Sequence, residues 1–417
     1  MNFSRRQVLG MLGGAAAGAA AGRRGWPAER GPIRVGFLAP FTGPFAQIGK
    51  DMWDGFRLYF EEIGMQAAGR RIELLVEDSW VEPAEALTKL RKLVEKDRVQ
   101  VASGGLTTPT GYALQPYVES QRMPFLVPIS CADDLTQRKI GKWYVRSGWT
   151  CSQTMHPLGD YAYKVQGYRK VVGLNFDIGS GYESLGGFQR VFEENGGQVI
   201  QKLWTPLTVA DFAPYLAQIK READAVCAFA AGSAALRLVK QYAEYGLKGR
   251  IPLIGTGLLT DETALAQMGD EAIGVVTALH YSEALDNPAN KRFKAAFEKL
   301  AGRITSYYSA NSYTAGRWIV EGLKAAGGEI ENRDRYLAAL KAVEVSDDPR
   351  GPMKIDRWGS AVQNVYIRRV ERVGGRIQNT VIHTYPNISQ FWTYNPEEFL
   401  KNPVYGRDKY PGCKSCL

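Results

Sequence analysis

Short runs of β-branched and other apolar residues alternate with longer amphipathic stretches from residue 33 onward. The short runs have the length of strands, and the longer stretches have the apolar periodicity of helices. This alternation predicts an α/β fold with doubly wound, Rossmann-like parallel sheets, because right-handed crossovers place a helix between parallel neighbours. The predicted strands are 33–38, 72–77, 99–102, 125–127, 171–175, 199–201, 225–229, 253–255 and 274–277, and the predicted helices are 50–63, 83–96, 186–195, 233–245 and 290–300.

The predicted strands are too many for one comfortable sheet, so we expect two lobes with a ligand cleft between them. A helix-rich segment from about residue 284 to 345 is expected to return and cover the first lobe. Residues 362–368 and 376–383 alternate like a β-hairpin joined near Gly374 and Gly375. The predicted division is 29–147 with 283–345 for lobe 1, 148–282 with 346–385 for lobe 2, and 386–417 for a C-terminal extension.

The N-terminus resembles a twin-arginine export signal. Arg5 and Arg6 precede a Gly- and Ala-rich apolar segment that ends in small residues near Gly22. We therefore exclude residues 1–28 from the fold and expect a protein exported to the periplasm of a Gram-negative bacterium. The first cysteine is Cys131, which argues against a lipid-anchored lipoprotein.

Five cysteines are present. Cys413 and Cys416 are close enough in sequence to close a small disulfide in an oxidising compartment. The other three, Cys131, Cys151 and Cys227, are expected to be buried or isolated. A lone CxxC is weak evidence for a zinc site or for a redox enzyme.

Several function classes are disfavoured. The net charge of +9 comes from scattered basic residues rather than a stripe, which disfavours nucleic-acid binding. The three histidines lie outside metal-binding spacings, and no phosphate loop or GxSxG elbow is present. Asp133 and Asp134 are interpreted as acids at a helix start rather than a catalytic dyad. We therefore expect no enzyme activity, no cofactor and no metal.

Loops rich in glycine and hydroxyl side chains follow three predicted strands of the first lobe. They are residues 39–49, 103–110 and 128–132. Glycine lets a backbone approach a ligand, and hydroxyls at a helix N-terminus can donate to an oxyanion. Each Ser or Thr taken alone is better explained as a helix cap. Ligand binding is favoured because two of these loops are neighbours in the sheet.

These segments together resemble the branched-chain-amino-acid type of periplasmic solute-binding protein. The resemblance rests on residues 41–44, 105–108, 123–130, 181–199 and 239–247, taken in order. It implies two lobes joined by three hinge crossings, which close on a small ligand and deliver it to the membrane permease of an ATP-driven importer. It also implies a binding protein without chemistry of its own, and we expect a monomer.

The resemblance also implies candidate ligand-binding residues. Thr107 and Thr108 correspond to hydroxyls that hold a ligand carboxylate, together with the backbone and hydroxyl of residues 130–132. Trp149 is a candidate stacking partner at the first hinge. The full candidate set is Phe41, Ile48, Leu106, Thr107, Thr108, Ser130, Cys131, Ala132, Trp149, Ile178, Phe229, Ala231, Thr256, Tyr281 and Tyr308.

One departure from the family pattern bears on the ligand. Amino-acid binders of this type carry an acid in a Gly-x-Glu-Gly turn that pairs with the ligand ammonium, whereas this chain has Gly255, Thr256, Gly257 and Leu258 there. A buried ammonium without a carboxylate partner is costly. Residues 348–352 and 362–366 and the cysteine-containing tail are similar to the subgroup that binds aromatic acids, so we expect a benzoate-like or phenylpropenoate-like acid.

Alternatives remain open. Asp261 and Glu262 lie close enough in sequence to supply an acid, so a branched-chain amino acid is the main rival, beside a small amide or urea. A sensor ectodomain and an exported enzyme are less favoured.

Overall fold

A computed structural model describes residues 31–414 and Cys416. The proposed export signal, residues 1–28, lies outside the described residues. In the part of the chain that is described, no helix is both long enough and apolar enough to cross a lipid bilayer.

The first sheet has six strands in the order β2-β3-β1-β4-β5-β6. It is parallel except for the antiparallel pair β2 and β3. Its strands are β1 (Ile33–Ala39), β2 (Gln66–Ala67), β3 (Arg70–Asp78), β4 (Val101–Gly104), β5 (Phe125–Val127) and β6 (Tyr144–Arg146).

The second sheet contains the remaining strands. Five of them are parallel in the order β11-β10-β9-β7-β8, and β14 joins antiparallel to β11, followed by β13 and β12, while β15 pairs with β14. They are β7 (Lys170–Phe176), β8 (Gln198–Thr205), β9 (Ala225–Phe229), β10 (Leu253–Thr256), β11 (Val276–Leu279), β12 (Glu344–Val345), β13 (Met353–Ile355), β14 (Ala361–Val373) and β15 (Arg376–Ile388).

Helices alternate with the strands over most of the chain, as the sequence pattern predicts. They are α1 (Ala46–Glu62), α2 (Pro83–Arg91), α3 (Thr108–Ser120), α4 (Met155–Lys164), α5 (Gly179–Glu194), α6 (Ala213–Leu216), α7 (Ser233–Glu244), α8 (Glu262–Leu265), α9 (Pro288–Ala301), α10 (Tyr307–Ala325), α11 (Arg333–Lys341) and α12 (Pro396–Lys401).

The segment after β11 returns to the first sheet through α10, which packs against α1. The two helices approach closely at Gly55, where a Cβ atom would come within 2.1 Å of the Ser309 carbonyl oxygen. On its other side α1 covers β1, where the rings of Phe56 and Phe37 stack with centroids 4.3 Å apart. This contact keeps the start of α10 next to the strand ends of the first sheet.

The predicted α/β class with two largely parallel sheets is confirmed. Element bounds differ in places. The helix predicted to start at 186 begins at Gly179, the helix predicted at 83–96 ends at Arg91 and continues as a π-helical turn over Lys92–Lys96, and strands β2, β6, β12 and β13 were not predicted.

The sequence analysis expects Cys131 and Cys151 to be buried or isolated; Cys151 is buried, but the two residues are not isolated, because they form a disulfide. This bond joins the loop after β5 to the crossing that leaves the first sheet after β6. The expected pair Cys413 and Cys416 is also bonded, and Cys227 is a buried free thiol.

The described part of the C-terminal extension packs on both sides of this crossing. Gln390 exchanges hydrogen bonds with Thr136 in the loop after β5, and Tyr405 hydroxyl lies 3.0 Å from Nε2 of His156 on α4. Phe391, Phe399 and Tyr405 form a small apolar cluster of their own. The extension thus covers the region where the chain passes between the two sheets.

Candidate functional site

The three predicted ligand loops of the first sheet lie side by side. β4 pairs with both β1 and β5, in a register that sets Leu38 opposite Gly104 and Ser103 opposite Leu126. The loops after β1, β4 and β5 therefore leave the sheet at one edge, where doubly wound proteins bind ligands.

The loop after β4 leads into the N-terminus of α3. Gly104 and Gly105 have positive φ angles of 126° and 83°, and a Cβ atom at Gly104 would come within 2.1 Å of the Leu38 carbonyl oxygen. Thr107 is the N-cap of α3, since its Oγ1 accepts from the Thr110 backbone N–H at 3.3 Å. The half-buried Thr108 hydroxyl makes no hydrogen bond with the described residues, so it is free to donate to an anion.

The loop after β5 is held rigidly. The Cys151 N–H donates to the Cys131 carbonyl at 2.8 Å, beside the disulfide between the two residues. The buried Arg146 donates to the carbonyls of Ala132 and Trp149, the latter at 3.0 Å. Because the Cys131 sulfur is in the disulfide, this residue offers a ligand only its backbone and no thiol.

An aromatic cluster lies where the crossings meet the start of α10. The Trp149 ring centroid is 4.8 Å from that of His280 and 5.4 Å from that of Tyr307. The centroids of Tyr307 and Tyr308 are 3.9 Å apart. All four side chains are at most 3 % exposed. The predicted residues Trp149 and Tyr308 thus belong to one aromatic cluster, through Tyr307.

The other predicted wall residues fall into two groups. Ile48 and Tyr281 belong to the apolar core of the first sheet, with Phe41 and Leu106 packed against it. Phe229 belongs to the core of the second sheet, with Ile178 and Ala231 packed against it. Leu258, in the turn after β10, packs against both cores.

Two of the predicted polar side chains, Tyr281 and Thr256, differ in whether their hydroxyl already has a hydrogen-bond partner within the protein. The Tyr281 hydroxyl is already engaged, because it lies 3.1 Å from Asn290 Oδ1 and 2.9 Å from Thr305 Oγ1. The Thr256 hydroxyl is buried at the end of β10 and has no partner among the described residues. A buried hydroxyl without a partner is costly, which favours Thr256 as a group that a ligand or water satisfies.

The turn after β10 has no room for an acidic side chain at residue 257. A Cβ atom on Gly257 would come within 2.4 Å of Leu279 Cβ and 2.8 Å of Nη2 of Arg368. This buried guanidinium donates to the Gly257 carbonyl at 2.9 Å. A cation thus lies beside the position at which amino-acid binders of this type carry an acid.

The two acids further along the turn are placed differently from each other. Glu262 pairs with Arg368 at 3.3 Å and is therefore engaged within the protein. Asp261 caps α8 through the Thr263 N–H at 3.0 Å, and it is 2 % exposed. Its burial, together with the nearby Glu262 charge, raises the pKa of Asp261 to about 7. A carboxyl group with this pKa is largely protonated below pH 7 and is then a weak partner for an ammonium.

A second pair of carboxyl groups lies beside the disulfide. The Asp133 N–H donates to Glu183 Oε1 at 3.2 Å, which joins the loop after β5 to α5. Burial raises the pKa of Asp133 to about 6 and holds the pKa of Glu183 well above its ordinary value. Oxygens of both residues lie within 4.8 Å of Cys151 Sγ, but that sulfur is in a disulfide and is not a thiolate ligand for a metal.

Sequence reasoning missed His280 and Tyr307. Each is adjacent in sequence to a predicted residue, Tyr281 or Tyr308. At the end of a strand or the start of a helix, the sequence alone does not show which of two adjacent aromatic side chains joins the cluster. The buried Arg368 was also missed, because a charged residue in a hairpin strand looks solvent-facing in the sequence.

Comparisons with known proteins agree with this architecture. Residues 32–376 match the sequence model of the periplasmic binding protein family. A Leu/Ile/Val-binding protein homologue of Brucella melitensis is 31% identical over 361 residues, covering 85% of this chain and 91% of the relative.

Solved structures are similar over most of the chain. An ABC transporter substrate-binding protein from Sphaerobacter thermophilus has a TM-score of 0.83 at 34% identity, covering 86% of this chain and 99% of that one. A solute-binding protein from Rhodopseudomonas palustris in complex with 3,4-dihydroxybenzoic acid has a TM-score of 0.81 at 33% identity, covering 86% and 98%. A leucine-binding protein from Thermotoga maritima, at 21% identity, shares the fold with a TM-score of 0.75, covering 85% and 99%. On this evidence the chain belongs to the periplasmic binding protein family.

Proposed function

We propose that this protein is the periplasmic substrate-binding component of an ABC importer and that its ligand is an aromatic carboxylic acid. The observation that carries the choice of ligand is the turn after β10. Gly257 cannot be replaced by an acid without displacing Arg368, and the neighbouring Glu262 is already paired with that arginine. An α-amino acid would therefore find no carboxylate for its ammonium at residue 257 and would have to pair with Asp261, whose raised pKa requires that group to lose a proton on binding near neutral pH.

Two further features support an acid with an aromatic body. The free Thr108 hydroxyl at the N-terminus of α3 suits a carboxylate, because helix N-termini favour negative charge. The cluster of Trp149, Tyr307 and Tyr308 supplies aromatic faces and edges for a ring. Solved relatives at 29–33% identity hold benzoate, p-hydroxybenzoic acid and 3,4-dihydroxybenzoic acid.

In the proposed mechanism the protein performs no chemistry. The open form binds the acid on the loops after β4 and β5, and rotation about the crossings brings the second lobe onto the ligand. Phe229 and Thr256 then exclude water from it. Affinity comes from apolar burial and from hydrogen bonds to the carboxylate, each worth about 1.5–3 kcal/mol. The closed form is recognised by the membrane permease, and twin-arginine export delivers the protein to the periplasm.

A branched-chain amino acid is the second candidate. The curated relatives named Leu/Ile/Val-binding homologues favour it, as does the presence of Asp261 in the turn after β10. Under this alternative Asp261 ionises on binding and pairs with the ligand ammonium. Affinity for leucine would then rise from pH 6 to pH 8.

Thermal shift distinguishes the two candidates. The mature protein is heated with benzoate-like, phenylpropenoate-like and aliphatic acids and with leucine, isoleucine and valine. A ligand at 100 times its Kd adds about 2.7 kcal/mol of stability. We expect aromatic acids to raise the melting temperature and the amino acids to leave it unchanged. Stabilisation by leucine with none by any aromatic acid would refute the proposed ligand class.

A further inference from the structure

His280 lies directly after β11, inside the aromatic cluster. Its side chain is fully buried, and its ring packs obliquely against Trp149, with an interplanar angle of 33°. Nε2 lies 2.8 Å from Oδ1 of Asn311 on α10. The imidazole therefore has one nitrogen bound to a side chain of the helix that carries Tyr307 and Tyr308.

The network around Asn311 fixes which nitrogen carries the hydrogen. Asn311 Nδ2 donates to the Pro128 carbonyl at 2.9 Å, and its Oδ1 accepts from Nη1 of Arg350 at 2.9 Å. These two contacts orient the amide, so the oxygen faces His280. An amide oxygen only accepts, so Nε2 of His280 must donate and carries the hydrogen.

The second nitrogen, Nδ1, is consequently an acceptor in the neutral ring. It is buried and has no hydrogen-bond partner among the described residues. Burial and the positive charge of Arg350 lower the pKa of His280 well below its ordinary value, and Arg368 acts in the same direction. The ring therefore stays neutral, and Nδ1 keeps its lone pair. The two ring nitrogens point in divergent directions, so Nδ1 cannot share the Asn311 contact.

A buried acceptor without a partner is costly, and a site that contains one discriminates strongly between ligands. Resting on the aromatic-acid function proposed above, we propose that the ring of the ligand carries a hydroxyl group that donates a hydrogen bond to Nδ1 of His280. His280 is then the residue that selects hydroxylated aromatic acids over the unsubstituted ring. Trp149 fixes the plane of the imidazole, and Asn311 fixes its tautomer.

The first part of the test uses the unmodified mature protein. Calorimetry measures the Kd of benzoate, of the three hydroxybenzoate isomers and of the matching methoxybenzoates, which keep the oxygen but cannot donate. We expect one hydroxybenzoate to bind about tenfold or more tightly than both benzoate and its own methyl ether. If benzoate binds within about threefold of every hydroxybenzoate, the inference is overturned while the proposed function stands.

The second part compares two histidine variants. His280→Gln retains a donor near Nε2 for Asn311 and has no acceptor at the position of Nδ1. His156→Gln is the matched control, because His156 is equally buried, has one nitrogen bound to Tyr405 and also has an Nδ1 without a partner among the described residues. It lies under the C-terminal extension, outside the aromatic cluster.

We expect His280→Gln to reduce the preference for the hydroxyl to about threefold or less and His156→Gln to leave it unchanged. A preference that survives in His280→Gln overturns the inference, because another group or a bound water then receives the hydroxyl. If His280→Gln does not fold, the comparison of ligands on the unmodified protein decides alone. If no aromatic acid binds the unmodified protein, the proposed function fails and the inference fails with it.

Discussion

The disulfide between Cys131 and Cys151 gives a quantitative prediction for stability. It closes a loop with a sequence separation of 20 residues. Closing a loop of this length lowers the entropy of the unfolded chain, which stabilises the folded state by about 3.3 kcal/mol at 25 °C. The separation of three residues between Cys413 and Cys416 gives a stabilisation of about 1.6 kcal/mol by the same relation. Cys131→Ala with Cys151→Ala is therefore expected to cost about twice as much stability as Cys413→Ala with Cys416→Ala.

The assay is urea denaturation of the oxidised mature protein, of both double variants and of the unmodified protein after reduction. Loss of the first disulfide is expected to lower the denaturation midpoint more than loss of the second, and complete reduction more than either. The first disulfide also fixes the loop that carries Ser130 and Ala132, so the first double variant is expected to bind the ligand more weakly. A loss below about 1 kcal/mol for the first double variant would refute the reasoning.

Gly257→Ala is expected to destabilise the protein by about 1–3 kcal/mol, because the new Cβ overlaps Leu279 and Arg368. Gly179→Ala, whose Cβ meets nothing within 4 Å, is the matched control and should change the denaturation midpoint little; equal losses would contradict the packing argument. Glu183→Gln tests the carboxyl pair. Burial raises the folded-state pKa of Asp133 to about 6 and that of Glu183 well above its ordinary value, so both groups favour the folded state most below about pH 4, and this contribution is lost as the pH rises through the folded-state pKa of each group. The decline in melting temperature from pH 4.5 to 7.5 should be shallower in Glu183→Gln, and parallel profiles would contradict this. Thr108→Ala should weaken binding of an aromatic acid but not of its neutral amide, and equal weakening of both in calorimetry would rule out a carboxylate contact.

The alternating pattern of the sequence predicts the fold well because buried parallel strands are continuous apolar runs. The pattern gives wrong bounds, or misses a strand, where the local composition is atypical of the element that tertiary packing stabilises. Helix α5 is predicted from residue 186 but begins at Gly179, and its glycine-rich first turn packs tightly on β7, where a Cβ at Gly181 would come within 2.0 Å of the Phe176 carbonyl oxygen. Strand β6 was missed because it is short and ends in Arg146, a charged residue that is fully buried and bound to carbonyls.

The placement of the candidate ligand loops could be predicted, because glycine and hydroxyl residues at the ends of parallel strands have a local signature, and the loops after β1, β4 and β5 do lie at one edge of the first sheet. The pairing of Cys131 with Cys151 and the network of His280, Asn311 and Arg350 have no such signature, since their members come from different elements and meet only in the folded chain.

A crystal structure of the mature protein with a bound hydroxybenzoate tests the central claim most directly. We expect the carboxylate within about 3.2 Å of the Thr108 hydroxyl or of the backbone N–H groups at the start of α3. The ring should contact Trp149 and Tyr308, and its hydroxyl should lie within hydrogen-bond distance of Nδ1 of His280. A ligand whose ring lies away from the aromatic cluster, or an amino acid whose ammonium pairs with Asp261, would contradict the account.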